Sequence, residues 1–142
     1  MDRHIFLVGM PGSGKSALGR RVAQKLQIPY LDTDVYLTEV TGMDTAQLYA
    51  AFGEKAFRDA ETRLLQRLIN ATPGIISTGG GVCLREENRR IMHDHGLIVL
   101  IDRPIDDIML DIRAEKRPFL AQKGREEVER IYNERMPIYQ GA

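Results

Sequence analysis

The stretch "GMPGSGKS", Gly9–Ser16, follows directly on the apolar run "HIFLV", His4–Val8, and restricts the fold more than any other part of the chain. Three glycines and one lysine in eight residues leave little to pack in a core, so a buried strand gives way at once to a polar, pliable loop. The stretch satisfies G-x-x-x-x-G-K-[ST] in full. Behind it, "SALGRRVAQKL" places Leu18, Val22 and Leu26 four apart, the spacing of a helical face. Strand, glycine loop and helix in succession make an anion nest. Glycines let main-chain N–H groups approach phosphate oxygens closely, and the positive end of the helix points at the same place. The pattern predicts that the amides of Gly12, Ser13, Gly14, Lys15, Ser16 and Ala17 line a nucleotide's phosphates. Lys15 then reaches the β- and γ-phosphates of ATP, and the Ser16 hydroxyl ligates Mg²⁺.

The remainder of the chain alternates in the same way. Extended runs at Ile28–Asp34, Gly74–Thr78 and Gly96–Asp102 are separated by helical patterns over Asp44–Phe52 and Glu54–Asn70, joined at Gly53, and over Arg85–His95. Helices over Ile105–Ala114 and Arg125–Tyr139 complete the chain. This order predicts an α/β fold, a three-layer α/β/α arrangement with a central parallel sheet and helices on both faces. On such sheets ligands lie beyond the carboxyl ends of the strands. The loop after the first strand, the aspartates after the second and the glycines after the third all fall there.

Composition narrows the function classes. At 142 residues the chain is expected to form one domain, and a 43% hydrophobic, 28% charged sequence has the material for a core. Acidic and basic residues balance at 20 each, which argues against a nucleic-acid or membrane-surface field over the whole molecule. No apolar run approaches the roughly 20 residues of a spanning helix, and the single cysteine, Cys83, has no internal partner. A cytoplasmic protein, with neither nucleic acid nor membrane as partner, is the expectation. Cys83 itself reads as a small buried filler.

Five further stretches carry candidates for the acceptor side and for a lid. "LDTDVY" sets Asp32 and Asp34 two apart; on an extended strand they face opposite ways, one toward a metal and one toward a substrate, while Asp34 could equally cap the following helix. "TGGGV" spends three glycines, Gly79, Gly80 and Gly81, where a tight turn needs one or two, so backbone brought close to a ligand is expected there. Arg58 in "GEKAFRDAE" and Arg135 in "NERMPIY" read on their own as solvated or ion-paired surface residues. "IRAEKRPFLAQKG", Ile112–Gly124, gathers Arg113, Lys116, Arg117 and Lys123 between helices, the makings of a lid that brings cations to transferring phosphate.

The ordered set "GMPGSGKS", "LDTD", "GEKAFRDAE", "STGGGV", "KRPFL" and "ERMPIY" resembles the shikimate kinase family over essentially the whole chain. The resemblance implies a P-loop NTPase-type fold and transfer of the ATP γ-phosphoryl group to the 3-hydroxyl of shikimate, on the way to aromatic amino acids. It implies catalytic roles for Lys15, Asp34 and Arg117, with Asp34 binding the substrate hydroxyls and taking a proton. Ser16 and Asp32 correspond to the Mg²⁺ residues, Asp32 through water. Arg58, Gly79, Gly80, Gly81 and Arg135 correspond to the groups that hold shikimate, the arginines gripping its carboxylate. Arg117 corresponds to the lid arginine on the phosphates and Arg113 to the one packed near adenine.

By the same resemblance the domain comprises the phosphate loop at 9–16, a substrate segment at about 32–70 and a lid at about 112–124. The family continues past Ala142 with a strand and a helix, and a monomer is expected. A gluconate or nucleoside-monophosphate kinase shares the loop and lid logic; "TGGGV" with Arg58 and Arg135 favours a carboxylated ring instead. From outside the enzymes, a non-catalytic nucleotide-binding module would have no use for Asp34 or Arg135.

Overall fold

Phe6 and Val8 point to one face of strand β1 (His4–Val8) and Ile5 and Leu7 to the other, and both faces are packed. A strand covered on both sides belongs in the middle of a sheet with helices above and below. The computed structural model describes residues 3–10, 13–114 and 118–142, and the side chains of 111–123 are outside that description. Strands β2 (Tyr30–Asp32), β3 (Ile75–Ser77) and β4 (Gly96–Leu100) join β1 in a parallel sheet of order β2-β3-β1-β4. Its register sets Phe6 beside Ile76 and Ile98.

Around the sheet run helices α1 (Lys15–Leu26), α2 (Thr33–Thr41), α3 (Thr45–Leu68), α4 (Glu86–His95), α5 (Ile105–Ala114) and α6 (Pro118–Gly141). The larger core joins Phe6, Val8 and Ile76 to Leu65 of α3, Met92 of α4, Ile108 of α5 and Val128 and Tyr139 of α6. The smaller core, on the opposite face, joins Leu7 and Ile75 to Ala23 of α1. The three-layer arrangement expected from the alternation is therefore present.

Individual elements depart from expectation for identifiable reasons. β2 ends at Asp32 rather than Asp34, because the Asp32 side chain accepts from the Val35 N–H at 3.0 Å and turns the chain into α2. Asp32, not Asp34, is the cap. α3 opens on a reciprocal capping box between Asp44 and Gln47 and breaks at Gly53, the expected joint, where φ is 85°. α6 begins at Pro118, earlier than expected, and its helical path is interrupted at Gly124, so the predicted helix is its second part.

The face of α1 is also not the expected one. Leu18 and Leu26 are 44% and 54% exposed, and the buried residues are Lys15, Gly19 and Ala23. Gly19 rests directly on the sheet. A Cβ there would come within 2.8 Å of Leu7 Cδ1 and the Tyr30 ring, and within 2.9 Å of Ser77 Oγ. A valine at position 19 has no room, so Gly19→Val should lower unfolding free energy by about 1–3 kcal/mol, the usual cost of overpacking. Urea denaturation checks this, and an unchanged midpoint would refute the seating of α1.

Candidate active site

The loop after β1 folds around its own lysine. Lys15 is 8% exposed, and its Nζ donates to the carbonyls of Gly9 and Met10 at 2.8 and 2.9 Å. A buried ammonium is costly unless bonded, and these carbonyls hold it inside the loop. Helix α1 starts at Lys15 behind Gly14 with no side-chain cap and no acidic residue in its first turn. Its positive end thus receives no compensating charge from the helix itself, the condition for capturing an anion. The Ser13 hydroxyl is buried with no hydrogen-bond partner among the described residues. An orphaned hydroxyl beside a helix N-terminus and a buried ammonium fits a phosphate oxygen as its partner. Ala17 lies in the first turn of α1 and is exposed. Gly12 lies outside the described residues.

One step from the loop, Ser16 donates its hydroxyl proton to Asp32 Oδ2, while Oδ1 of the same carboxylate caps α2. The two oxygens join the start of α1 to the end of β2, on the same carboxyl edge of the sheet as the loop. Hard oxygen donors of this kind suit Mg²⁺, which takes one or two protein oxygens and completes its octahedron with phosphate and water. Among the described residues no cluster of three or more His, Cys, Asp or Glu could hold a metal alone.

The acceptor side is built on the turn after β3. Gly79 and Gly81 are there because side chains from two helices press against the backbone. A Cβ on Gly79 would overlap the Asp34 carboxylate, and one on Gly81 would overlap the Arg58 guanidinium. Asp34 stands in the first turn of α2, where the helix end favours a carboxylate. The Gly79 amide donates to the Thr33 hydroxyl at 2.8 Å, whereas the Gly80 and Gly81 amides meet no acceptor among the described residues. Tyr139 of α6 donates to the Gly80 carbonyl at 2.5 Å, and Arg135, one helical turn earlier, is close enough to act electrostatically on its hydroxyl. The structure thus brings Asp34, Arg58, the three glycines and Arg135 to one place, from α2, α3, the turn and α6. Arg117 lies outside the described residues, and of Arg113 only the helical backbone in α5 is described.

Arg58 is ion-paired, as one of its two sequence readings has it, but it is buried and not at the surface. It is 9% exposed, its Nη1 pairs with Glu61 Oε1 at 2.8 Å and its Nη2 donates to the Tyr49 hydroxyl at 2.5 Å. Glu61 is 1% exposed, and burial pushes its carboxyl up to about 7 despite the opposing pull of Arg58; Asp34 adds to the rise and Arg135 works against it. Cys83, behind the turn, is buried, and its thiol is pushed up to about 12, so it stays protonated filler. Sequence reading missed Tyr49, Thr33 and Tyr139, whereas Glu61, three residues beyond Arg58 on the same helical face, is legible as an ion-pair partner.

Lys15 in its loop, and Asp34, Arg58, Arg135 and the Gly80 and Gly81 amides around the turn, are groups of the kind that suit a phosphate and a small hydroxylated acid. The family model described as shikimate kinase matches residues 11–142.

The chain belongs to the shikimate kinase family.

Among curated relatives, a shikimate kinase from Clostridium beijerinckii is 38% identical over 139 residues, covering 98% of this chain and 81% of the relative. The shikimate kinase of Bacteroides thetaiotaomicron superposes with a TM-score of 0.91 at 32% identity, covering 99% of this chain and 83% of that one. That of Acinetobacter baumannii, solved in complex with shikimate, also gives 0.91 at 28% identity over 98% of this chain and 79% of its own. This shikimate kinase fold carries a testable proton linkage at Glu61. Between the ordinary value of 4.5 and about 7 the folded protein holds a proton that the unfolded chain has lost. The contribution of Glu61 to stability is therefore greatest at low pH and falls as pH rises through that window. Glu61→Gln removes the effect, so the mutant's Tm relative to wild type should shift upward from about pH 5 to about pH 8. A difference that stays flat with pH would refute the raised value.

Proposed function

We propose that the chain transfers the ATP γ-phosphoryl group to the 3-hydroxyl of shikimate, with Mg²⁺, as a cytoplasmic monomer. The observation that carries this reading is the convergence of Asp34, Arg58 and Arg135 on the Gly79–Gly81 turn, beside the Lys15 loop. It rests also on membership of a kinase family, and no described helix is long and apolar enough to cross a membrane.

Each residue then has a definite task. The loop amides and Lys15 bind the phosphates and set positive charge against the transferring group. Ser16 and Asp32 would hold Mg²⁺, which would neutralise further charge on the phosphate oxygens. Arg58 and Arg135 fork onto the shikimate carboxylate, and the Gly80 and Gly81 amides donate to the ring's polar groups. Asp34 accepts from the 3-hydroxyl and receives its proton as the oxygen bonds to phosphorus. Such transfer asks little covalent chemistry of the protein, so positioning and electrostatics dominate. By the family resemblance, Arg117 of the 112–124 segment reaches the phosphates and Arg113 packs beside adenine.

A coupled ADP-release assay across shikimate, gluconate and a nucleoside monophosphate tests the substrate, and turnover should require shikimate. Asp34→Asn should cut kcat by about 10²-fold or more while leaving the KM for ATP within about twofold. Arg135→Ala should raise the KM for shikimate about tenfold, the loss of one charge-assisted contact. An Asp34→Asn enzyme with near-normal kcat would overturn the proton-acceptor role.

A further inference from the structure

Arg58 is held by more than an ion pair. Its guanidinium has five N–H donors. One on Nη1 goes to Glu61 Oε1 at 2.8 Å, and one on Nη2 goes to the Tyr49 hydroxyl at 2.5 Å. Nε is buried and faces Glu54 Oε1 at 3.8 Å, so the second hydrogens of Nη1 and Nη2 remain for an incoming anion. The guanidinium also lies over two aromatic rings, with its central carbon 5.6 Å from the centre of Tyr49 and 5.4 Å from that of Phe57. Those rings pack on each other at 4.9 Å. The two terminal nitrogens are therefore pinned from opposite ends, and the plane of the fork is fixed by the rings beneath it.

The approach of Tyr49 to Arg58 depends on backbone. In an unbroken α-helix, residues nine apart face opposite sides and lie about 13.5 Å apart along the axis. No side-chain bond could then join positions 49 and 58. At Gly53, φ 85° and ψ 165° break α3, so that the segment 45–52 turns and delivers the Tyr49 hydroxyl to the guanidinium carried by 54–68. A positive φ of this kind favours glycine. The capping box at Asp44 and Gln47 fixes the beginning of the same short segment.

We propose that Tyr49 is a positioning residue for carboxylate recognition: its hydroxyl, brought round by the Gly53 break, holds Arg58 Nη2 while Glu61 holds Nη1, so the fork is set before substrate arrives. The inference rests on the shikimate reading given above. A side chain as long as arginine loses substantial rotamer freedom when it grips a ligand, and a fork already fixed loses less. The hydroxyl therefore acts on substrate affinity, through Arg58, and not on the phosphoryl step.

The experiment uses Tyr49→Phe, which keeps the ring over Phe57 and under Arg58 and deletes the hydroxyl alone. Shikimate-dependent ADP release by the wild-type chain comes first. Tyr49→Phe should raise the KM for shikimate about five- to tenfold, with kcat and the KM for ATP each within about twofold. In an Arg58→Lys background the same change should add nothing, since the partner of the hydroxyl has gone. An unmoved KM in a folded Tyr49→Phe enzyme overturns the role of Tyr49, as does an equal rise in the Arg58→Lys background. Parallel losses in kcat, in the KM for ATP and in Tm assign the residue to packing and overturn it too. No turnover of shikimate by wild type would instead overturn the functional reading, and this inference with it.

Discussion

A buried ammonium organises the carboxyl edge of this sheet. Lys15 is 8% exposed and its Nζ lies against the carbonyls of Gly9 and Met10, so the end of β1 and the start of α1 are tied together by one charged group. The arrangement requires α1 to lie close against β1 and β3, and Gly19 permits that closeness by presenting no side chain to Leu7, Tyr30 and Ser77. The helix end and the ammonium then add their fields at one point. Asp32 ties the neighbouring helix into the same edge, one oxygen on Ser16 and the other on the Val35 amide. Two carbonyls satisfy the buried ammonium, while the start of α1 beside it has no side-chain cap, the condition for capturing an anion.

Across the edge, the acceptor side solves the opposite problem, that of charges which must stay paired without being used up. Arg58 and Glu61 are both nearly inaccessible, and neither could remain buried alone. Pairing them takes one hydrogen from Nη1 and leaves Arg58 with donors to spare. Glu61 in turn feels Asp34 and Arg135, which makes the cluster a single electrostatic unit drawn from α2, α3 and α6. The raised carboxyl of Glu61 is the mark of that compromise, since burial favours its neutral form more than Arg58 favours its charged one.

Much of this was legible in the sequence, and the reason differs from part to part. β1 and the phosphate loop were readable because a fixed spacing of glycines and lysine needs one backbone shape. The Gly53 joint and α5 were readable from periodicity and punctuation, and α5 spans Ile105–Ala114 as expected. The buried face of α1 was misread because hydrophobic spacing favoured Leu18, Val22 and Leu26, whereas the close seat on the sheet selects small residues at 19 and 23. Asp32 and Asp34 were readable as a pair, but the division between them was not. Which one caps the helix depends on where β2 stops, and a pattern of apolar residues does not resolve a shift of two.

The glycine turn shows most clearly where sequence reasoning stops. Three glycines in a row suggest backbone amides offered to a ligand, and the Gly80 and Gly81 amides have no acceptor among the described residues. Yet the Gly79 amide is taken by Thr33, and the absence of side chains at 79 and 81 also serves the protein's own groups. A methyl at 79 would displace the Asp34 carboxylate, and one at 81 would displace the Arg58 guanidinium. Each of these glycines therefore fixes the position of a charged group some 20 to 45 residues away in sequence, a relation that only the packed structure expresses. The space the turn leaves at 79 and 81 decides where the charges stand.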